Sequence, residues 1–164
     1  MKKNKQMAHN KIPDDIIRAI YSGNTKHVIN WMNNDNINNV DSDNRSIIFH
    51  AVISGLFDLV SLILSENVAI NIKDKKGWYP IHYAVQGYFV EITALLIDKG
   101  AEIDVKDDFG NTPLWRAVFA SQGRGEIIKL LLSKGADSKK ENSSGISPLS
   151  LAEKISNYDI KQFF

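Results

Sequence analysis

Apolar residues recur along this chain in paired short clusters. Ile47, Ile48, Ala51 and Val52 share one face at helical spacing, and Gly55 follows them. Leu59, Val60, Leu62, Ile63 and Leu64 then mark a second helix. Apolar positions three and four apart are the signature of a helix with one buried face. The pair returns as Ile81 and Ala84 followed by Ile92, Leu95, Leu96 and Ile97, and closes at Gly100. It returns again as Leu114 and Ala117 followed by Ile127, Ile128 and Leu130 to Leu132, and stops at Gly135. Weaker versions stand at both ends. Ile16, Ala19 and Ile20, ended by Gly23, precede Val28, Trp31 and Met32; Leu149, Leu151 and Ala152 precede a shorter outer helix expected from Asn157 to Ile160, with Ser156 as its cap. The pattern predicts five helix pairs, in units of about 12–40, 41–73, 74–106, 107–141 and 142–164. Residues 1–11 are basic and polar and are expected to form a flexible terminus.

The units are in register. Asp41, Asp74 and Asp107 are 33 residues apart. Asn44, Gly77 and Gly110 follow each by three, and Ala51, Ala84 and Ala117 by ten. Thr112-Pro113 and Ser147-Pro148 each pair an N-cap with a proline at the first helical position, where its missing N–H costs nothing. A 33-residue period built from a turn and two helices resembles the ankyrin repeat. The resemblance implies an all-α ankyrin-repeat solenoid with degenerate caps, its turns projecting as β-hairpin tips beside a concave face. Small residues such as Ala84 are expected where inner helices crowd, and Leu62, Leu95 and Leu130 where outer helices pack.

Three departures stand out. The family's Thr-Pro-Leu-His is here Tyr79-Pro80-Ile81-His82 and Thr112-Pro113-Leu114-Trp115, so the usual Thr–His hydrogen bonding is expected to be lost. The fourth unit carries two extra residues within Ser121 to Gly125, expected to bulge at the surface. The Asn-rich stretch Asn33 to Asn44 reads as a connecting turn, and Phe163 and Phe164 as a seal on the open end of the stack.

Composition narrows the function. A chain of 164 residues with net charge +1 fits one domain without bulk attraction to nucleic acid or anionic membrane. It has no cysteine, which excludes disulfide and thiol chemistry and fits a cytoplasmic location. Neither an apolar signal core nor a run of ~20 apolar residues is present. His9, His27, His50 and His82 lack metal-ligand spacing, and Gly123-Arg124-Gly125 lacks the Gly-Lys-Ser/Thr of a phosphate loop. Lys73, Lys75 and Lys76 lie near Trp78, but Asp74, Asp104, Asp107 and Asp108 break the single sign that a nucleic-acid groove needs. The expectation is therefore a non-enzyme with no cofactor, no metal and no nucleic-acid or membrane partner, monomeric when free.

The resemblance places the binding positions just after the turn Asp, just after the turn Gly and near the end of the inner helix. Carried over, the candidates are Arg45, Ile53, Lys75, Lys76, Trp78, Gln86, Phe109, Asn111 and Phe119. Trp78 is the expected central anchor, since interface energy concentrates on such residues. The function implied is binding, and blocking, one protein partner. The specific form is a bacterial immunity protein neutralising a cognate toxin, which small free-standing ankyrin stacks resemble. The alternative is a scaffold or host-directed effector that recruits a partner.

Overall fold

A computed structural model describes residues 11–164. The flexible terminus expected for residues 1–11, with His9, falls outside that range except for Lys11. The described chain holds nine α-helices: α1 Asp14–Tyr21, α2 Thr25–Trp31, α3 Ile47–Ile53, α4 Phe57–Ile63, α5 Pro80–Gln86, α6 Val90–Asp98, α7 Pro113–Ala120, α8 Glu126–Ser133 and α9 Pro148–Lys154. A 3-10 turn, Lys161–Phe163, follows. Helices of seven to nine residues are too short to persist alone in water, so packing must hold them. The inner helices α1, α3, α5, α7 and α9 pack in series, and the outer helices α4, α6 and α8 pack in series beside them.

The outer layer seats one residue later than expected. Ile63, Leu96 and Leu131 are fully buried, whereas Leu62, Leu95 and Leu130 are only half-buried. In a run of adjacent leucines the periodicity alone leaves the helix phase open by one position, and contact with the neighbouring repeat chooses it. The small inner residues behave as crowding requires: Ala51, Ala84 and Ala117 are fully buried.

Each turn is closed by the same device. The turn Asp accepts two backbone N–H bonds on one oxygen: Asp74 Oδ1 from Lys76 and Trp78, Asp107 Oδ1 from Phe109 and Asn111. Asn142 does the same in the last unit. The turns are hairpin-like, with Asp74 N–H donating to the Trp78 carbonyl, but no strand forms among the described residues. Among the described residues the β-pairing is a single bridge between Lys11 and Val40. Gly77 is required here twice over. Its φ is +75°, and a Cβ would run into the Asp108 carboxylate of the next turn.

Neighbouring units are clasped by side-chain amides. Asn71 donates to the Gly100 carbonyl and accepts from Glu102 N–H, both near 2.9 Å. Asn38, one period earlier, does the same to Asn67 and Ala69. The Asn-rich stretch is thus more than a connector, because Asn38 is its inter-unit clasp.

Two further expectations need correction. Ser121 to Gly125 is not a free bulge. Ser121 and Gly125 are buried, Gly125 leaves room for the Phe163 ring and Gly123 for Tyr158. The chain after α9 does not form an outer helix at Asn157 to Ile160; it crosses this seat and ends in the 3-10 turn.

Candidate functional site

The turn ends and the exposed face of the inner helices form the side that the ankyrin resemblance expects to be concave. Its floor is a polar ladder that the 33-residue register creates. Nine residues after each turn Asp stands a donor: His50, Tyr83 and Arg116. Tyr83 donates to Asp74 Oδ2 at 2.6 Å, and Arg116 Nε donates to Asp107 Oδ2 at 3.0 Å. His50 Nε2 lies 3.1 Å from Asp41 Oδ2, within ion-pair range but without a hydrogen bond. Its Nδ1 is 3.0 Å from the Tyr21 hydroxyl.

The residue four after each turn Asp then reaches into the next unit. Arg45 donates from Nε to Asp74 at 2.8 Å and from Nη2 to the Tyr83 hydroxyl at 2.7 Å. Trp78 lies under the Arg116 guanidinium, 4.3 Å from its ring centroid, and packs beside Tyr83. Asn111 accepts from Asn142. Every rung therefore joins two repeats, and the carboxylates carry the electrostatic load. Burial alone would push the Asp74 carboxyl up, but bonds from Tyr83, the Trp78 N–H and Arg45 outweigh it and hold it below the usual range. Asp107 is held low in the same way, chiefly by Arg116 against its own burial.

His82 occupies the family's histidine position and is buried. Its Nδ1 accepts from the Tyr79 N–H at 3.1 Å, and Nε2 sits 3.2 Å from the Asn111 carbonyl. A carbonyl can only accept, so Nε2 carries the proton and Nδ1 is bare. The threonine hydroxyl is missing, yet the histidine still bridges two units, so the expected loss of this bonding is only partial. In the fourth unit Thr112 accepts from Trp115 N–H instead.

These contacts sort the nine candidates. Arg45 and Asn111 differ from expectation: both are spent within the chain, Arg45 with a side chain only 13% exposed and Asn111 buried. Trp78 is half-buried, one ring face taken by Arg116. Ile53 is half-buried against the core. Lys75, Lys76 and Gln86 are exposed. Phe109 and Phe119 are 67% and 60% exposed, the two most exposed large apolar residues among those described.

Those two phenylalanines border two hollows. One, of about 490 Å³, is lined by Lys76, Trp78, Asp108, Phe109 and Arg116 at the turn end. The other, of about 240 Å³, lies at the far end of α7, between Phe119, Leu151, Ile155 and Tyr158. Phe119 stacks on Trp115 with ring centroids 5.5 Å apart. Sequence reasoning missed Tyr158 because the last unit has no regular outer helix to place it, and it read Leu151 only as a packing position of the last inner helix. Among the described residues no group of three His, Asp or Glu side chains is placed to hold a metal, and no helix is long and apolar enough to cross a membrane.

A stack of paired helices with a turn Asp every 33 residues defines a helical repeat solenoid. The family model for ankyrin repeats matches in three overlapping copies, over residues 16–107, 48–142 and 91–163, and the chain belongs to the ankyrin-repeat family. Ankyrin repeats mediate protein–protein interaction and are typically non-catalytic binding modules. No curated protein matches the chain.

Proposed function

We propose that this protein binds one protein partner through the concave side of its third and fourth units, as a monomer in the cytoplasm, and blocks that partner by covering it. The observation that carries the reading is the exposure of Phe109 and Phe119 on one unit, bordering hollows that Trp78 and Tyr158 help line. Single exposed apolar residues are ordinary, but two on one unit, each bordering an apolar hollow, are where an interface can anchor. Lys75, Lys76 and Gln86 supply a polar rim. In its specific form the partner is a toxin and this chain the cognate immunity protein, a form that rests on family resemblance. The test is co-expression with the product of the adjacent gene, using wild type and a Phe109→Ala/Phe119→Ala double variant. Protection by wild type and its loss in a folded double variant support the reading. A product that is harmless alone, or remains lethal with this protein bound, turns the assignment to a scaffold or effector.

A further inference from the structure

The two hollows differ in charge, and that difference describes the partner. At the turn end, each charge facing the hollow except one already has a counter-charge. Asp108 is paired with Lys73 at 3.3 Å, and Arg116 is committed to Asp107. Lys76 and its neighbour Lys75 are exposed, and among the described residues neither has a carboxylate within 4.0 Å. Their backbone N–H groups are used inside the chain, by Asp74 and by the Asp43 carbonyl, which fixes the turn and leaves only the ammonium groups to seek a partner. At the other end the polar residues bordering the hollow are Gln122 and Asn157, both uncharged, with buried Ser121 beneath them. The face is therefore cationic at one end, neutral at the other, and apolar in both hollows.

Resting on the binding face proposed above, we infer that it takes an extended acidic segment of the partner. That segment carries two bulky apolar side chains, with carboxylates clustered beside the one that enters the Trp78–Phe109 hollow. The two hollows lie on either side of α7, one at its turn end toward the third unit and the other at its far end toward the last unit. An extended chain presents alternate side chains to one face, so the two anchors stand an even number of positions apart. Carboxylates meeting Lys75 and Lys76 steer the approach and fix which end of the segment lies at the turns. The first anchor meets the ring of Trp78, already held in place by Arg116, and the second meets Phe119 and Tyr158.

A random dodecapeptide display library selected on the full chain tests this. Enriched peptides are expected to share two large apolar positions at one fixed, even spacing, with Asp and Glu beside one. Phe109→Ala and Phe119→Ala alter exposed residues and leave the fold intact by circular dichroism; each is expected to weaken a selected peptide at least tenfold. A Lys75→Glu/Lys76→Glu variant is expected to lose the acidic peptides and enrich basic ones. Peptides that are basic from the start, yet still sensitive to Phe109→Ala, overturn the acidic segment while the binding face stands. Peptides indifferent to both phenylalanines overturn the binding face as well. A library that yields no enriched sequence overturns the linear segment and leaves the face to the co-expression assay.

Discussion

Arg116 covers Trp78 from the next repeat, its guanidinium 4.3 Å from the indole centroid, while its Nε holds the buried Asp107 carboxylate. One side chain thus closes a turn in its own unit and caps an aromatic ring in the one before. Arg116→Ala is expected to cost about 3 kcal/mol, because a fully buried carboxylate loses its charge partner. Arg116→Lys is expected to recover only part of that, since an ammonium cannot present a planar fork and stacks poorly. Urea denaturation followed by tryptophan fluorescence measures both, and equal stability of all three proteins would refute the ladder.

The outer-helix core is tested by neighbours. Leu96 is fully buried and Leu95 is not. Leu96→Ala is expected to destabilise by ~2–5 kcal/mol, and Leu95→Ala by clearly less. Because each repeat leans on its neighbours, the Leu96 change should also lower hydrogen-exchange protection in α4 and α8. A larger loss at Leu95 would restore the phase expected from the sequence.

The fourth unit's two extra residues serve as a seat for the end of the chain. Gly123 has φ +88° and faces Tyr158, and Gly125 faces Phe163. Arg124 lies over the Tyr88 ring at 3.6 Å, and Tyr88 donates to Glu126 at 2.7 Å. Deleting Gln122 and Gly123 is therefore expected to release residues 155–164 and expose the Phe119 hollow. Limited proteolysis should then cut in that segment, where wild type resists. An unchanged digestion pattern would show the seat to be dispensable.

The repeat was legible because its turn Asp, its inner alanines and its helix-start prolines all recur at one period, each for a physical reason. The second layer of that period was harder to see. Asn38, Asn71 and Asp104 also stand 33 apart, but a polar residue on a turn looks the same whether it meets water or the next unit's backbone. The same ambiguity misplaced Arg45 and Asn111. A residue four after the turn Asp faces the concave side, and only the identity of the neighbouring side chain decides whether it is spent inside the chain. Phe109 and Phe119 are left exposed at the same unit, whereas Trp78 has one face covered by Arg116 of the next unit.

Acid should weaken this fold before its carboxylates titrate. Burial lowers the His82 pKa from 6.5 to about 4, against the pull of nearby Asp107. The cause is visible in the bonding: a proton on Nδ1 would remove the acceptor that Tyr79 N–H needs. Between pH 6.5 and 4 the unfolded chain binds a proton here that the folded chain refuses. The neutral histidine's contribution is therefore whole above pH 6.5, declines as pH falls, and is gone near pH 4, a change on the order of 3 kcal/mol. His50, lowered chiefly by its own burial, acts with the same sign. Asp74 and Asp107 are held low and should lose their contribution only at lower pH. Unfolding free energies at constant ionic strength should fall from pH 7 to pH 4.5 in wild type. His82→Gln should start lower, for want of the bridge to Asn111, and show a shallower slope over the same window. A slope unchanged by the substitution would mean that His82 does not set the acid limit of this fold.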